Sequence, residues 1–413
     1  MTTSPGARTP FIETVAARPR VSLAAILIAF LQLGLTAFGV AILGKLRALV
    51  ISRGWLTEED TNDGLALVQL YPGPIMVDFT AYAGYRIRGV PGAIASTTGF
   101  ILPSFVLMVG LSAAYFALGD LPWVAALLLG LEALVVGVLL NVVLDLGSRS
   151  VTGRMSATIA LLAFVALLYN ASAILIVLAA LVVGALLVRP TPGAPRMDGA
   201  ARASLPPAEA VGRRRWAAIA AVGVAVLAVA GLAWALSSPV GDVGLSMFKI
   251  GAVAFGNGAT IMPLLQAEAV DAHQWLTMRQ FADGIALGQV TPGPFLITAA
   301  FVGFKVGGIA GATLATFGIF SPSFAMTLIF TEVFGRVRDL RVVRGALAGV
   351  LASFVGLLAA VTNQLGRVAL TTPAALAFGA AAFVAVRYFK LDLLWVFGGG
   401  LAVWGALLAI GVV

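Results

Sequence analysis

The sequence predicts an all-α polytopic membrane protein made of two homologous halves, and three observations predict it. Apolar runs long enough to cross lipid recur along nearly the whole chain, only 11% of residues are charged, and one set of motifs occurs twice, about 220 positions apart. A span needs roughly 20 apolar residues, because a helix rises about 1.5 Å per residue through about 30 Å of hydrocarbon. A soluble domain would carry about a quarter of its residues as charges. Here 60% are hydrophobic and the mean hydropathy is +1.03. A transmembrane barrel is excluded because stretches such as Leu121 to Leu146 are apolar on every face rather than alternating.

Composition also removes several chemistries. The chain has no cysteine and a single histidine, His273. Disulfides, thiolate metal sites and imidazole clusters are therefore excluded, and no cofactor or enzymatic activity is expected. The net charge of +8 does not indicate a nucleic-acid partner, since membrane proteins gather basic residues in cytoplasmic loops.

The elements are expected in the following order. Residues 1–20, with Arg8, Arg18 and Arg20, form an N-terminal cytoplasmic segment. They resemble the opening of a signal peptide but lead into no short apolar region with a cleavage site, so the first span is expected to be retained. The first transmembrane repeat occupies 21–188, with spans at 22–44, 61–85, 90–118, 121–147, 155–169 and 171–188. A cytoplasmic linker follows at 189–214, where Pro190, Pro192, Pro195, Pro206 and Pro207 lie among small and basic residues. A connecting span at 215–236 precedes the second repeat at 244–413, with spans at 244–267, 281–304, 308–334, 342–365, 372–386 and 391–412. The total is about thirteen spans.

The repeat is visible residue by residue. Trp55-Leu56-Thr57, Asp63, Ala66-Leu67, Gln69 and Pro72-Gly73-Pro74 return as Trp275-Leu276-Thr277, Asp283, Ala286-Leu287, Gln289 and Pro292-Gly293-Pro294. Gly84, Gly89, Gly92 and Pro103-Ser104-Phe105 return as Gly303, Gly308, Gly311 and Pro322-Ser323-Phe324, and Ala37-Phe38-Gly39 as Ala254-Phe255-Gly256. With the single connecting span between six-span halves, the second half enters the membrane from the opposite side. Charge placement favours this inversion with the N-terminus inside, for only Lys45, Arg47, Arg53, Lys305 and Arg367 then fall outside. A re-entrant hairpin in place of one span per half would change that parity.

The paired Pro-Gly-Pro elements lie in membrane-grade apolar sequence, where proline removes a backbone donor and breaks a helix. Broken helices at that depth are tolerated only inside protein or along a polar cavity. Residues after Pro74 and Pro294 begin new half-helices whose free N–H groups and positive dipole ends suit an anion. Inverted repeats bring such ends together at the midplane. The substrate-binding candidates are accordingly Gln69, Pro72, Gly73, Pro74, Gln289, Pro292, Gly293 and Pro294, with Gly39, Gly256 and Asn257 as a second backbone opening. Gln69 and Gln289 either donate to an oxyanion or cap the broken helix. Lys249 is read as a countercharge for the substrate or as half of an ion pair with Asp283. Asp78, which has Thr298 as its repeat mate, and Glu132 carry a proton or balance charge. Asp63, Asp283, Arg86 and Lys305 complete the coupling candidates. Each has a plainer reading: helix N-terminal stabilisation for the aspartates, snorkelling for Arg86 and Lys305.

Taken together, Phe38-Gly39, Trp55-Leu56-Thr57, the Ala66-Leu67, Gln69 and Pro72-Gly73-Pro74 run, the Gly84-Tyr85-Arg86, Gly89 and Gly92 run, and Leu102-Pro103-Ser104-Phe105 resemble the chromate ion transporter family. The resemblance covers 30–115 and 247–335 most clearly. It implies a long-chain, two-domain protein that exports chromate from the bacterial cytoplasm through the inner membrane and confers resistance, with some relation to sulfate. The sequence departs from the family in having Phe255-Gly256-Asn257-Gly258 in place of a longer glycine run, and Val40-Ala41 after the first Phe-Gly. These differences bear on substrate rather than fold. An oxyanion channel, or a transporter of sulfate or another inorganic anion, remains the alternative, and the expected partners are the oxyanion and the lipid bilayer, with a homodimer open to it.

Overall fold

A computed structural model describes residues 21–36, 38, 42–118, 121–187, 213–235, 237–256, 258–337 and 341–411. Nearly all of this is helix. The first half contains α1 (Leu23–Thr36), α2 (Ile42–Ser52), α3 (Glu58–Leu67), α4 (Ile75–Leu118), α5 (Pro122–Ser150), α6 (Arg154–Leu168) and α7 (Ala173–Leu187). After α8 (Arg213–Ala235) come α9 (Pro239–Val253), α10 (Met262–Gln266), α11 (Met278–Val290), α12 (Thr298–Val337), α13 (Arg341–Ala369), α14 (Pro373–Arg387) and α15 (Leu393–Ala409). Among the described residues five helical segments are long and apolar enough to cross a membrane, namely Ile75–Leu118, Pro122–Ser150, Arg213–Ala235, Phe295–Val333 and Gly345–Ala369. Five shorter apolar helices accompany them. This is a multi-pass, all-α membrane protein.

The repeated motifs do the same structural work in both halves. Thr57 caps α3 in a reciprocal pair of bonds with Asp60, and Thr277 caps α11 in the same way with Gln280. The Trp-Leu-Thr motif therefore marks where each Pro-Gly-Pro helix begins. The expected span at 22–44 is not continuous, because α1 stops at Thr36, whose carbonyl receives a 2.7 Å bond from the Lys45 ammonium. The span at 244–267 is likewise interrupted, by a two-residue strand, β2 (Phe255–Gly256).

The length of α4 conceals a hairpin. A straight helix would separate Thr80 from Ser96 by about 24 Å, yet the Ser96 hydroxyl donates to the Thr80 carbonyl at 2.8 Å. The chain reverses at Arg88 and Gly89, the latter at φ +65°. Gly84 and Gly92 face each other across the arms so closely that a Cβ on either would overlap the other's carbonyl. In α12 the reversal falls at Gly307 and Gly308, with Gly303 against Gly311. The span expected at 90–118 is thus the second arm of one folded helix, whereas the span expected at 61–85 is divided by the break, its first part lying in α3 and only the part from Ile75 forming the first arm.

Packing divides the described residues into two bundles. In the core bundle α1 lies along α4, α9 lies along α12, and α4 meets α12 across the halves. In the flanking bundle α6 and α7 of the first half pack on α13 of the second, and α5 packs on α14 and α15. Trp404 of α15 anchors the flanking bundle by donating from its indole to the Ala126 carbonyl at 2.8 Å. Helices α10 and α11 bridge the bundles through contacts with α13 and α5.

Candidate functional site

The two halves meet at their broken segments. Gly73–Pro74 forms a second short strand, β1, which runs parallel to β2, pairing Gly73 with Phe255 and Pro74 with Gly256. One half's Pro-Gly-Pro is thus held against the other half's Phe-Gly. Sequence reasoning named Pro-Gly-Pro and Phe-Gly as two backbone openings but did not foresee that they pair with each other across the halves. The first arm of α4 starts at Ile75, immediately after the strand, so its unsatisfied N–H groups lie beside the junction.

Asp78 occupies the first turn of that arm and is fully buried. Its carboxyl folds back so far that a Cβ on Gly73 would overlap it. Ser323 and Thr327 of α12 face the carboxyl. Their own protons are committed elsewhere, Thr327 to the Ser323 carbonyl at 2.9 Å and Ser323 to the Phe320 carbonyl at 3.2 Å. Tyr71 adds a 2.7 Å bond to Thr327. Both Asp78 oxygens are thereby left without a hydrogen bond from the described residues.

The second Pro-Gly-Pro has the matching neighbour from the first half. The Ser104 hydroxyl donates to the Pro292 carbonyl at 2.6 Å, and a Cβ on Gly293, which sits at φ +107°, would overlap that hydroxyl. Ser104 and Ser323 belong to the repeated Pro-Ser-Phe motif. Sequence analysis recognised that motif as part of the repeat without assigning it to the site. Pro294 enters a short 3₁₀ turn, Phe295–Ile297, before α12 begins with Thr298 in place of a second aspartate.

The other predicted residues divide. Pro72 is half-buried, while Pro74, Pro292 and Pro294 are buried. Gln69 is exposed in the turn after α3, and Gln289 is half-buried in the last turn of α11. Gly256 lies in β2, whereas Gly39 and Asn257 fall outside the described residues. Lys249 is exposed on α9 and does not supply Asp283 with an ion pair; Asp283 instead accepts a 2.7 Å bond from Tyr115 and lies within hydrogen-bond reach of Glu132. Arg86 is bound to Asp60 at 2.8 Å, with Asp63 of α3 also in its field, so it stands apart from the break. Lys305 is exposed over the Phe116 ring at 4.9 Å. Tyr71, Thr327, Tyr115 and Arg279 were not singled out from sequence, since nothing in their spacing marks them before the halves are brought together.

An apolar groove of about 480 Å³ between α4, α8 and α12, lined by Ile101, Phe105, Val222 and Phe317 among others, has no charged residue in its lining. No group of three or more metal-binding side chains occurs among the described residues.

The comparisons fit this geometry. Residues 24–185 and 241–406 match the model of a family described as chromate transporter, one match on each half. A chromate transport protein of Pseudomonas aeruginosa is 33% identical over 90% of this chain and 88% of its own length. One from Cupriavidus metallidurans is 30% identical over 82% and 81%. An uncharacterized transporter of Methanocaldococcus jannaschii is 32% identical over 82% and 83%. No solved structure matches the chain. With both halves matched by the family model and relatives 30–33% identical over 82–90% of its length, this chain belongs to the chromate transporter family.

Proposed function

We propose that the protein exports chromate from the cytoplasm through the bacterial inner membrane and confers chromate resistance, binding the oxyanion between its two Pro-Gly-Pro segments. The observation that carries this reading is the pairing of Gly73–Pro74 with Phe255–Gly256, which sets the amino end of α4 against the break of the other half. Backbone N–H groups at such an end, together with the positive pole of the helix, suit a dianion without a fixed cation. Gln69 and Gln289 supply amide donors at the ends of α3 and α11. The names of the Pseudomonas and Cupriavidus relatives support chromate as the cargo.

The parallel sense of β1 and β2 supports inverted halves. Within a half the Phe-Gly and Pro-Gly-Pro segments lie in successive spans, the second returning after the turn at the Trp-Leu-Thr motif, and so cross in opposite senses. For one half's Pro-Gly-Pro to run parallel to the other's Phe-Gly, the second half must be turned over. About thirteen spans, an N-terminus on the cytoplasmic side, repeats at 21–188 and 244–413 and a cytoplasmic linker at 189–214 fit that arrangement. Each negative charge moved outward across 100 mV gains about 2.3 kcal/mol, so export of a dianion runs downhill in a cell with a negative interior.

The test is flux of labelled chromate in proteoliposomes under an imposed potential, with unlabelled sulfate as competitor. Saturable, potential-dependent flux that Pro74→Ala and Pro294→Ala abolish, with both variants still inserted, supports the reading. Undiminished flux in both variants refutes the site, and no chromate flux in the unmodified protein refutes the cargo.

A further inference from the structure

We propose that Glu132 and Asp283 form a proton-binding site on the seam between the core and flanking bundles, and that the proton they share couples movement of the bundles to transport. This rests on the transport reading above but concerns a different part of the molecule. Glu132 lies on α5 of the flanking bundle at 1% exposure, and Asp283 lies at 3% on α11, the helix that bridges the flanking bundle to the core bundle. Their carboxyls are within hydrogen-bond reach of each other. An ionised carboxylate only accepts hydrogen bonds, so two carboxyls at this separation need one proton between them.

The surroundings say where that proton sits. Tyr115 of α4 donates to Asp283 Oδ2 at 2.7 Å, which marks Asp283 as the acceptor. Asp283 Oδ1 and both Glu132 oxygens are buried and have no other hydrogen-bond partner among the described residues. The proton therefore resides on Glu132 and points to Asp283. Arg279, in the first turn of α11, places its Nε 3.6 Å from Glu132 Oε1. One guanidinium set against two carboxyls leaves a net negative charge inside apolar helices, and one bound proton removes it.

Among the described residues, the remaining elements packed on α5 and α11 add no second countercharge; residues 267–273 before α11 bring the acids Glu268 and Asp271, with His273 set against Glu268 at 3.6 Å. On α12, Lys305 lies over Phe116 rather than over the acids. The basic residues of α13 and α14 with described side chains, Arg367 and Arg387, lie in the last turns of their helices, and α15 has no charged residue. Arg279 is half-exposed at 51%, so protons reach the pair from the aqueous side of α11. From Asp283 the helix runs about 10 Å to its end at Val290, directly before the second Pro-Gly-Pro. Release of the proton leaves two like charges facing each other across the seam and drives the bundles apart at the helix that carries the break.

The experiment uses the full chain in proteoliposomes with labelled chromate and compares it with Glu132→Gln and Asp283→Asn. The Gln amide keeps a donor toward Asp283 while removing the titratable proton. In the unmodified protein an imposed pH gradient at zero potential drives net chromate flux. In each variant that flux falls at least tenfold while chromate-for-chromate exchange persists at equal concentrations on both sides. Gradient-driven flux at the unmodified rate in Glu132→Gln overturns the proposal. A separate infrared measurement is independent of transport: the difference spectrum of the unmodified protein against Glu132→Gln, in which any contribution of the buried Asp78 cancels, shows the carbonyl band of one buried protonated carboxyl, and a flat difference overturns the proposal. If the unmodified protein exchanges no chromate, the transport reading fails, and the infrared band alone decides the proton site. If sodium at fixed pH raises the melting temperature of the unmodified protein but not of Glu132→Gln, the site binds a metal cation and the proton assignment is wrong.

Discussion

The Ser104 hydroxyl and the Pro292 carbonyl, 188 residues apart in sequence, are joined by a 2.6 Å hydrogen bond that crosses from one half of the molecule to the other. The repeat mate of Ser104, Ser323, lies against Gly73 in the opposite break. Each half thus places the serine of its Pro-Ser-Phe motif on the Pro-Gly-Pro of its partner. Proline explains why this is needed. Within each broken segment two of three residues lack an N–H, so the local chain has more acceptors than donors. At the second break Ser104 supplies a donor from the other half, whereas Ser323 keeps its proton on the Phe320 carbonyl and meets Gly73 by packing.

Ser104→Ala is expected to leave the Pro292 carbonyl buried without a donor, at a cost of about 1–3 kcal/mol. The melting temperature of the purified protein in detergent should fall, and chromate flux should fall with it because the second break loses its anchor. Ser104→Thr, which keeps the hydroxyl, should recover stability in part. Unchanged melting in Ser104→Ala would show that the carbonyl finds another donor.

Gly73→Ala is expected to abolish transport. The added methyl would overlap the Asp78 carboxyl and crowd the Ser323 side chain, so β1 must shift away from β2. Gly110→Ala is the matched control, since its methyl meets nothing within 4 Å. Flux and surface expression measured side by side separate the two: both variants should insert, and only Gly110→Ala should transport.

Asp78→Asn tests the asymmetry between the breaks. The carboxyl of Asp78 lies in the first turn of α4, beside the N–H groups proposed to receive chromate, whereas Thr298 stands at the equivalent place in the second half. When Asp78 ionises at alkaline pH its negative charge repels the substrate from those donors, and asparagine removes the charge while keeping the size. The KM for chromate at alkaline pH should drop by about tenfold, equivalent to about 1.4 kcal/mol. A KM that rises would assign Asp78 to binding rather than to competition.

Much of this fold is legible in the sequence because membrane helices are written in long apolar runs and the repeat is written in identities. Arg154–Leu168 and Ala173–Leu187 stand within a residue or two of the spans expected at 155–169 and 171–188. The breaks are legible too, since Pro-Gly-Pro sets two residues without an N–H around a glycine, whereas the single Pro103 and Pro322 are carried inside α4 and α12. What is not legible is which break meets which. Pairing of Gly73–Pro74 with Phe255–Gly256 depends on backbone groups, which every residue carries, so no side-chain pattern announces it. The partners of buried charges are hidden for a related reason. Glu132 and Asp283 lie on helices of different halves, and only packing shows that they share one pocket with Tyr115 and Arg279. Lys249 was drawn toward Asp283 because both are charges in apolar sequence, yet its place on α9 leaves it exposed.

The hairpin in α4 offers the last prediction, because its glycines serve two separable purposes. At Gly89 the requirement is backbone conformation alone: φ is +65° with ψ at −156°, and a Cβ there meets nothing within 4 Å. Gly89→Ala should therefore destabilise by only the strain of that conformation, about 1–3 kcal/mol. At Gly84 the backbone is helical and the requirement is space, since a methyl would drive into the Gly92 carbonyl on the other arm. No side-chain rotation relieves that overlap, so Gly84→Ala must part the arms and break the 2.8 Å bond from Ser96 to Thr80. Thermal melts of the two variants should rank Gly84→Ala well below Gly89→Ala. The same ranking should hold for Gly303→Ala against Gly308→Ala in α12, where the geometry recurs. Equal melting of Gly84→Ala and Gly89→Ala would mean that the arms of α4 are not in contact, and that the helix is bent rather than folded back.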